Sequence, residues 1–266
     1  MNKKLILYII LLSPLNSSEL DLGIGVGDMN YPDYLGSNHS NNMIVPFPFI
    51  DYHSKKLDID QDGVKQQLFA IDGLSLRLSM NGSLPVTSSG AREGMSNLDP
   101  AGEIGPALVY KLYDNSGLTI KLDFPIRAVI STDFKTNIEY RGYKYDPKIA
   151  LDYKFLDGYL FQFQTGGVWA DSQFNDYIYG VDSNSVTKNR EEYRAKAGYS
   201  GYKTSMGLSK KFKKVWIGGF IRYYDLTGSV SKDSPLKEQN DAIYSGLFIA
   251  YLFDKSFSKK VKNWIE

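Results

Sequence analysis

From Leu20 to Phe253 apolar and polar side chains alternate in short runs with a period of two. A strand imposes that period, because successive Cβ atoms leave a pleated backbone on opposite sides. Leu20, Leu22, Ile24 and Val26 are spaced by Asp21, Gly23, Gly25 and Gly27. Leu74, Leu76, Leu78 and Met80 alternate with Ser75, Arg77 and Ser79. In residues 118–126, Leu118, Ile120, Leu122, Phe124 and Ile126 share a face opposite Thr119, Lys121 and Asp123. The pattern continues through Ile149, Leu151, Tyr153 and Phe155, then Tyr159, Phe161, Phe163 and Thr165. It resumes in Tyr193, Ala195, Ala197 and Tyr199, in Tyr202, Thr204, Met206 and Leu208, and around Trp216 to Tyr224. Residues 242–253 are apolar on both parities. The segment 43–52 is odd in carrying Pro46 and Pro48 two apart; proline donates nothing to a ladder, so an edge, a bulge or a strand end is predicted there.

The breaks between runs come in two kinds. Short turns fall at Asp114-Asn115-Ser116-Gly117, at Leu156-Asp157-Gly158 and around Phe212, and the first two read as hairpins. Long polar loops are expected at 28–42, 86–99, 171–191 and 228–240. Short turns on one side and long loops on the other are a habit of outer-membrane barrels, and a soluble sandwich has no reason to sort its connections this way. The predicted fold is all-β, a closed antiparallel transmembrane β-barrel of about 12 strands. No fixed repeat and no linker divides it.

The N-terminus points to export. Lys3 and Lys4 precede an apolar run from Leu5 to Leu12, Pro14 breaks it, and Asn16-Ser17-Ser18 offers small residues for cleavage. Residues 1–18 are therefore expected to be a signal peptide cut near Ser18, with the barrel at 19–253 and a basic tail at 254–266. The apolar run is far shorter than the roughly 20 residues of a spanning helix, and no later stretch approaches that length. A membrane location then requires a closed barrel, since lipid offers no partner for an unpaired amide.

Composition narrows the function classes. Twenty Tyr, 14 Phe and 3 Trp suit the aromatic girdles of a barrel. A net charge of +1, from 31 Lys+Arg against 30 Asp+Glu, excludes a phosphate-tracking nucleic-acid binder. With no cysteine there is no disulfide, thiolate nucleophile or cysteine-linked lipid.

Candidate chemistry is thin. The two histidines are His39 and His53. His39, in Ser37-Asn38-His39-Ser40-Asn41-Asn42, superficially resembles the His/Ser/Asn set of outer-membrane phospholipases, but adjacent His and Ser on a strand point to opposite faces. Asp58, Asp60 and Asp62, ending in Gly63, resemble half a calcium loop without its downstream Glu; lumen or loop charge is the favoured reading. Gly23, Gly25 and Gly27 precede no helix, so they make no phosphate cradle and instead let strands bend or side chains pack closely. No catalytic, cofactor-binding or metal residue is assigned, and no cofactor is implied.

Several segments in order resemble the MltA-interacting protein (MipA/OmpV) family. They are Tyr31-Pro32-Asp33-Tyr34-Leu35-Gly36-Ser37, Pro46-Phe47-Pro48-Phe49-Ile50-Asp51-Tyr52, Gly105-Pro106-Ala107-Leu108-Val109-Tyr110, Val168-Trp169-Ala170-Asp171-Ser172 with Tyr177, Trp216 to Tyr223, and Leu226-Thr227-Gly228 leading to Ser234-Pro235-Leu236. The resemblance implies a non-enzymatic barrel in the outer membrane of a Gram-negative bacterium. It also implies partners: the lipid bilayer, and a murein transglycosylase and murein synthase held together by a scaffold. A porin-like channel is the alternative, and a lipid-active enzyme at His39 a third reading. One departure is that Phe253 is followed by residues 254–266, where such barrels end on an aromatic.

Overall fold

The computed structural model describes residues 19–265 apart from 55–56, 61–62, 87–89 and 136. The expected signal peptide and Asp62 lie outside the described residues. Thirteen strands form one antiparallel sheet: β1 (Glu19–Pro32), β2 (Ser40–His53), β3 (Leu57–Asp60), β4 (Gly63–Ile71), β5 (Leu74–Ser83), β6 (Ala101–Asn115), β7 (Leu118–Thr132), β8 (Ile138–Tyr145), β9 (Lys148–Phe155), β10 (Tyr159–Ala170), β11 (Gly198–Lys211), β12 (Val215–Asp225) and β13 (Asp241–Leu252). β1 pairs with β13, from Gly23 opposite Leu252 to Asn30 opposite Ser245, and this seam closes the sheet into a barrel. β8 and β9 both pair with β7 and with β10, so they are two halves of one wall strand interrupted at Asp146-Pro147. The wall therefore has 12 strand positions, as the alternation predicted.

The predicted parity holds around the wall. Ile24, Ile44, Phe124, Ile126, Leu208, Ile221 and Leu247 stand exposed on the outside, Ile44 at 74% and Leu247 at 72%. Their strand neighbours turn inward, where Val129 is 1% and Arg127 3% exposed. An outward apolar face of this extent is stable only against hydrocarbon. No helix among the described residues is long and apolar enough to cross a membrane, so the crossing is made by strands.

The hairpins at 116–117 and 156–158 close where the turn residues placed them, with Ser116, Gly117, Leu156 and Gly158 at positive φ. Four expectations are corrected. β1 and β2 run longer than their polar ends suggested, so the first loop is 33–39 rather than 28–42. Loop 171–197 contains a helix, α1 (Ser172–Tyr179), started by Asp171, whose carboxylate accepts from Phe174 N–H. The alternation at 193–197 is no strand: Tyr193 bridges to Val181 and Ala195 N–H donates to Asp176, so these residues pack within a loop. The basic tail forms a second helix, α2 (Lys255–Ile265), beside the start of β1.

Candidate functional site: a capped lumen with two unlike walls

The short turns lie at the end that holds both the start of β1 and α2, which the loop asymmetry makes the periplasmic end; the long loops lie at the other. Between them is a cavity of about 720 Å³.

On β6 to β11 the inward positions carry charge. Arg127 on β7 donates through Nε to Glu103 (3.1 Å) and through Nη2 to both oxygens of Asp146 (2.8 and 3.0 Å). Lys144 reaches the other oxygen of Glu103 at 2.5 Å, and Lys203 reaches Asp146 at 3.1 Å. Nearer the periplasm, Lys148 pairs with Asp123 at 3.0 Å and Lys121 with Asp152 at 2.5 Å. Five cations thus share four carboxylates on one wall. Glu103, Arg127 and Asp146 are buried, and a buried charge persists only when paired and hydrogen-bonded. The Asp146-Pro147 interruption belongs here: Pro147 cannot donate to a ladder, and the break leaves Asp146 between Arg127 and Lys203.

On β12, β13, β1 and β2 the inward positions at mid-barrel carry mostly rings and glycines, with the one cation of β12, Arg222, lying over the Phe220 ring at 5.7 Å. Phe47 meets Phe248 edge-on at 5.6 Å, Phe248 stacks on Phe220 at 6.0 Å, and Phe49 lies 5.2 Å from Trp216. The glycines make room for them. A Cβ on Gly27 would fall 2.2 Å from the Phe248 ring, and one on Gly25 2.5 Å from that of Phe47. Of the two roles read for these glycines, close side-chain packing is what Gly25 and Gly27 show, whereas Gly23 abuts the backbone of Tyr251.

Loops 33–39, 84–100, 171–197 and 226–240 interlock across the outer mouth. Tyr34, Tyr179, Val181, Ala195 and Leu236 form their shared core. Tyr34 O–H donates to Leu236 C=O (2.6 Å) and Tyr179 O–H to Leu35 C=O (2.9 Å). Arg190 donates to the carbonyls of Ala91 and Glu93, and Arg92 to that of Ile178. Burial pushes the Tyr34 and Tyr179 hydroxyls well above the ordinary tyrosine range, with Glu238 adding to the effect at Tyr34. At the periplasmic end Asp21 is held by Lys211 and Lys255, and Lys211 also faces Asp51 at 3.5 Å.

The residues singled out for chemistry do not converge. His39 sits in the outer loop region against Gly90, its own N–H bonded to Ser37 Oγ. His53 is at the opposite end of β2, with Nε2 2.9 Å from Asp51 and Nδ1 3.4 Å from Asp58. With both nitrogens turned to carboxylates, that ring has none left for a nucleophile's proton. Asp58 is thereby a histidine partner, and Asp60 lies at the end of β3. Among the described residues no group of three metal-ligating side chains gathers. What sequence reasoning missed is the charged ladder and the cap, whose partners lie far apart along the chain.

Comparison with curated proteins gives no match. Among solved structures the barrel is similar to the NanC porin (8% identity, TM-score 0.39, covering 87% of this chain and 98% of that one). It is also similar to OmpT of Vibrio cholerae (8%, TM-score 0.39, 90% and 100%) and to the outer membrane channel DcaP of Acinetobacter baumannii (11%, TM-score 0.38, 91% and 99%). The model of the MltA-interacting protein MipA family matches residues 24–253, from the first strand to the end of the last. The chain belongs to that family, and it is an outer-membrane β-barrel.

Proposed function

We propose that the barrel is a non-enzymatic docking protein for murein-acting enzymes, a transglycosylase and a synthase, which engage its periplasmic end. The family's name, MltA-interacting protein, supports a binding role. The observation that carries the reading within the molecule is the cap. Four loops share one core and exchange side-chain-to-carbonyl hydrogen bonds across the mouth, an arrangement that blocks a pore and that a scaffold tolerates. The periplasmic end offers exposed charge for a partner: Lys213 and Lys214 on one turn, the latter in a solvated pair with Asp254 at 3.1 Å, and Lys259 on α2.

Folded barrel immobilised in detergent should retain murein-cleaving activity from an envelope extract, assayed on isolated sacculi, and release it when Lys213 and Lys214 are changed to Glu. Retention of neither cleaving nor synthesising activity by heat-modifiable, folded barrel would overturn the proposal. The porin-like alternative rests on the cavity itself. It predicts steady conductance in planar bilayers, which the docking reading does not.

A further inference from the structure

One cation of the lumen stands apart from the charged wall. Arg222 on β12 lines the same cavity, half-buried, and among the described residues no carboxylate pairs with it. In the strand register it lies opposite Ser205 of β11 on one side and Tyr244 of β13 on the other. Neither neighbour carries charge, and the carboxylates of the facing wall are held by cations of their own. The buried Nε of Arg222 has no hydrogen-bond partner among the described residues. A guanidinium offers five N–H donors in its plane, and leaving one buried and unused costs free energy that a ligand can recover. Asp123 Oδ1, also unpartnered, is a different case: its carboxylate is already paired with Lys148 through the other oxygen.

The surroundings of this guanidinium are aromatic. Its carbon lies 5.7 Å from the centre of the Phe220 ring, and such a ring takes the face of a guanidinium but none of its N–H groups. Phe220 stacks on Phe248 and Phe248 meets Phe47, so a track of rings leads away from Arg222. All three rings line the cavity and stay partly exposed to it. Tyr224 and Tyr244, 5.7 Å apart, bring two phenols to the Arg222 end of the track.

Tyr34, Leu35 and Tyr179 of the cap also line the space and roof it. The floor is open along the charged wall. Side-chain exposure there rises from 4% at Arg127 to 13% at Lys148 and 20% at Lys121, in order toward the periplasm. Solvent therefore reaches the lumen from the periplasmic side. At about 720 Å³ the cavity has the size of a small-molecule pocket, and such pockets combine an apolar lining with a few convergent polar groups.

We propose that the lumen binds a small, water-soluble carboxylate with an aromatic or apolar body, taken up from the periplasm. The carboxylate accepts two parallel N–H bonds from Arg222, which a planar fork is shaped to give. The body lies on the track of Phe220, Phe248 and Phe47. This site is separate from the periplasmic docking surface, and neither role needs the other.

Barrel in phosphatidylcholine nanodiscs would be titrated with para-fluorophenylacetate and followed by fluorine NMR line broadening, with empty discs as the blank. Saturable binding is expected. The neutral para-fluorophenylacetamide, and trifluoroacetate as an anion without a ring, should each bind roughly tenfold more weakly. R222Q should cost the acid a similar, roughly tenfold loss and leave the amide nearly unchanged. K121Q, which removes a cation of the facing wall, should leave the acid nearly unchanged. Heat-modifiable migration confirms that each variant is folded. Absence of saturable binding would leave Arg222 to lumen water and overturn the proposal. Equal binding of acid and amide, or equal losses in R222Q and K121Q, would overturn Arg222 as the partner of the anion. Trifluoroacetate binding as well as the aryl acid would overturn the aromatic half of the site.

Discussion

The two halves of the lumen solve one packing problem by opposite means. The wall of β12, β13, β1 and β2 fills its interior with rings laid on glycine backbone, where contact is non-directional and every atom added or removed is felt. The wall of β6 to β11 fills its interior with side chains whose charges must be matched by geometry. The first arrangement tolerates rearrangement among apolar groups of similar volume. The second does not, because a charge left behind has nowhere to go. The difference teaches where this barrel is brittle.

The largest effect is expected at the centre of the charged wall. Arg127→Ala removes the cation that bridges Glu103 and Asp146, both buried, leaving Glu103 with Lys144 and Asp146 with Lys203 as their remaining ion pairs. Breaking a buried pair from one side typically costs about 3–5 kcal/mol. The urea midpoint of the heat-modifiable band should fall accordingly. Lys121→Ala, which removes a pair whose members remain about a fifth to a quarter exposed, is the control. A partly solvated pair is worth roughly 1 kcal/mol or less. Equal losses in the two variants would erase the claimed contrast between buried and solvated charge.

The aromatic wall should yield to a single methyl group. Gly27→Ala puts a Cβ 2.2 Å from the Phe248 ring, and overpacking of this kind costs about 1–3 kcal/mol. In a Phe248→Ala background the same change should cost less, because its three nearest neighbours are all atoms of that ring. The double-mutant cycle would show this as coupling, read from the same urea midpoints. Additive losses would mean that Gly27 is present for strand conformation and not for the ring.

How much of this is legible in the sequence follows from how local each cause is. Alternation is local, so strand positions, the lipid-facing set and the hairpins at Gly117 and Gly158 follow from neighbouring residues. The two prolines signalled an edge, a bulge or a strand end for the same reason, since a missing N–H is a property of one residue. The inward glycines of β1 signalled close packing, although not against which ring. The charged ladder is different: Arg127 meets residues 24 and 19 positions away, and Lys203 meets one 57 away. In the sequence these are unremarkable polar positions of separate strands, and only closure of the barrel makes them partners. The cap is farther still from legibility, as Tyr34 bonds a carbonyl 202 residues on. Tyr193 and Ala195 misled for the complementary reason. Their period of two is real, but a loop core produced it.

The cap gives the gentlest test, by way of pH. Tyr34 and Tyr179 hold their protons more tightly in the folded cap than in an open loop, because burial penalises the phenolate. A group whose folded pKa lies above its unfolded value contributes its full stabilisation below the unfolded value, about 10 for tyrosine. That contribution declines as pH climbs through the raised value. Each hydroxyl also donates to a carbonyl, at 2.6 and 2.9 Å, and a phenolate has no hydrogen to give. The loops should therefore resist limited proteolysis unchanged from pH 7 to about 10 and be cut faster above it, while the strands stay protected. Tyr34→Phe removes one donor and should cost about 1 kcal/mol of cap stability at neutral pH. In Y34F/Y179F the alkaline rise in cutting should flatten, since no phenol is left at either position to ionise. If the double variant kept the full rise, the groups responsible would lie elsewhere in the cap, first of all at Tyr193, whose hydroxyl donates to Val230 C=O at 3.0 Å and is likewise held above the ordinary tyrosine range by burial.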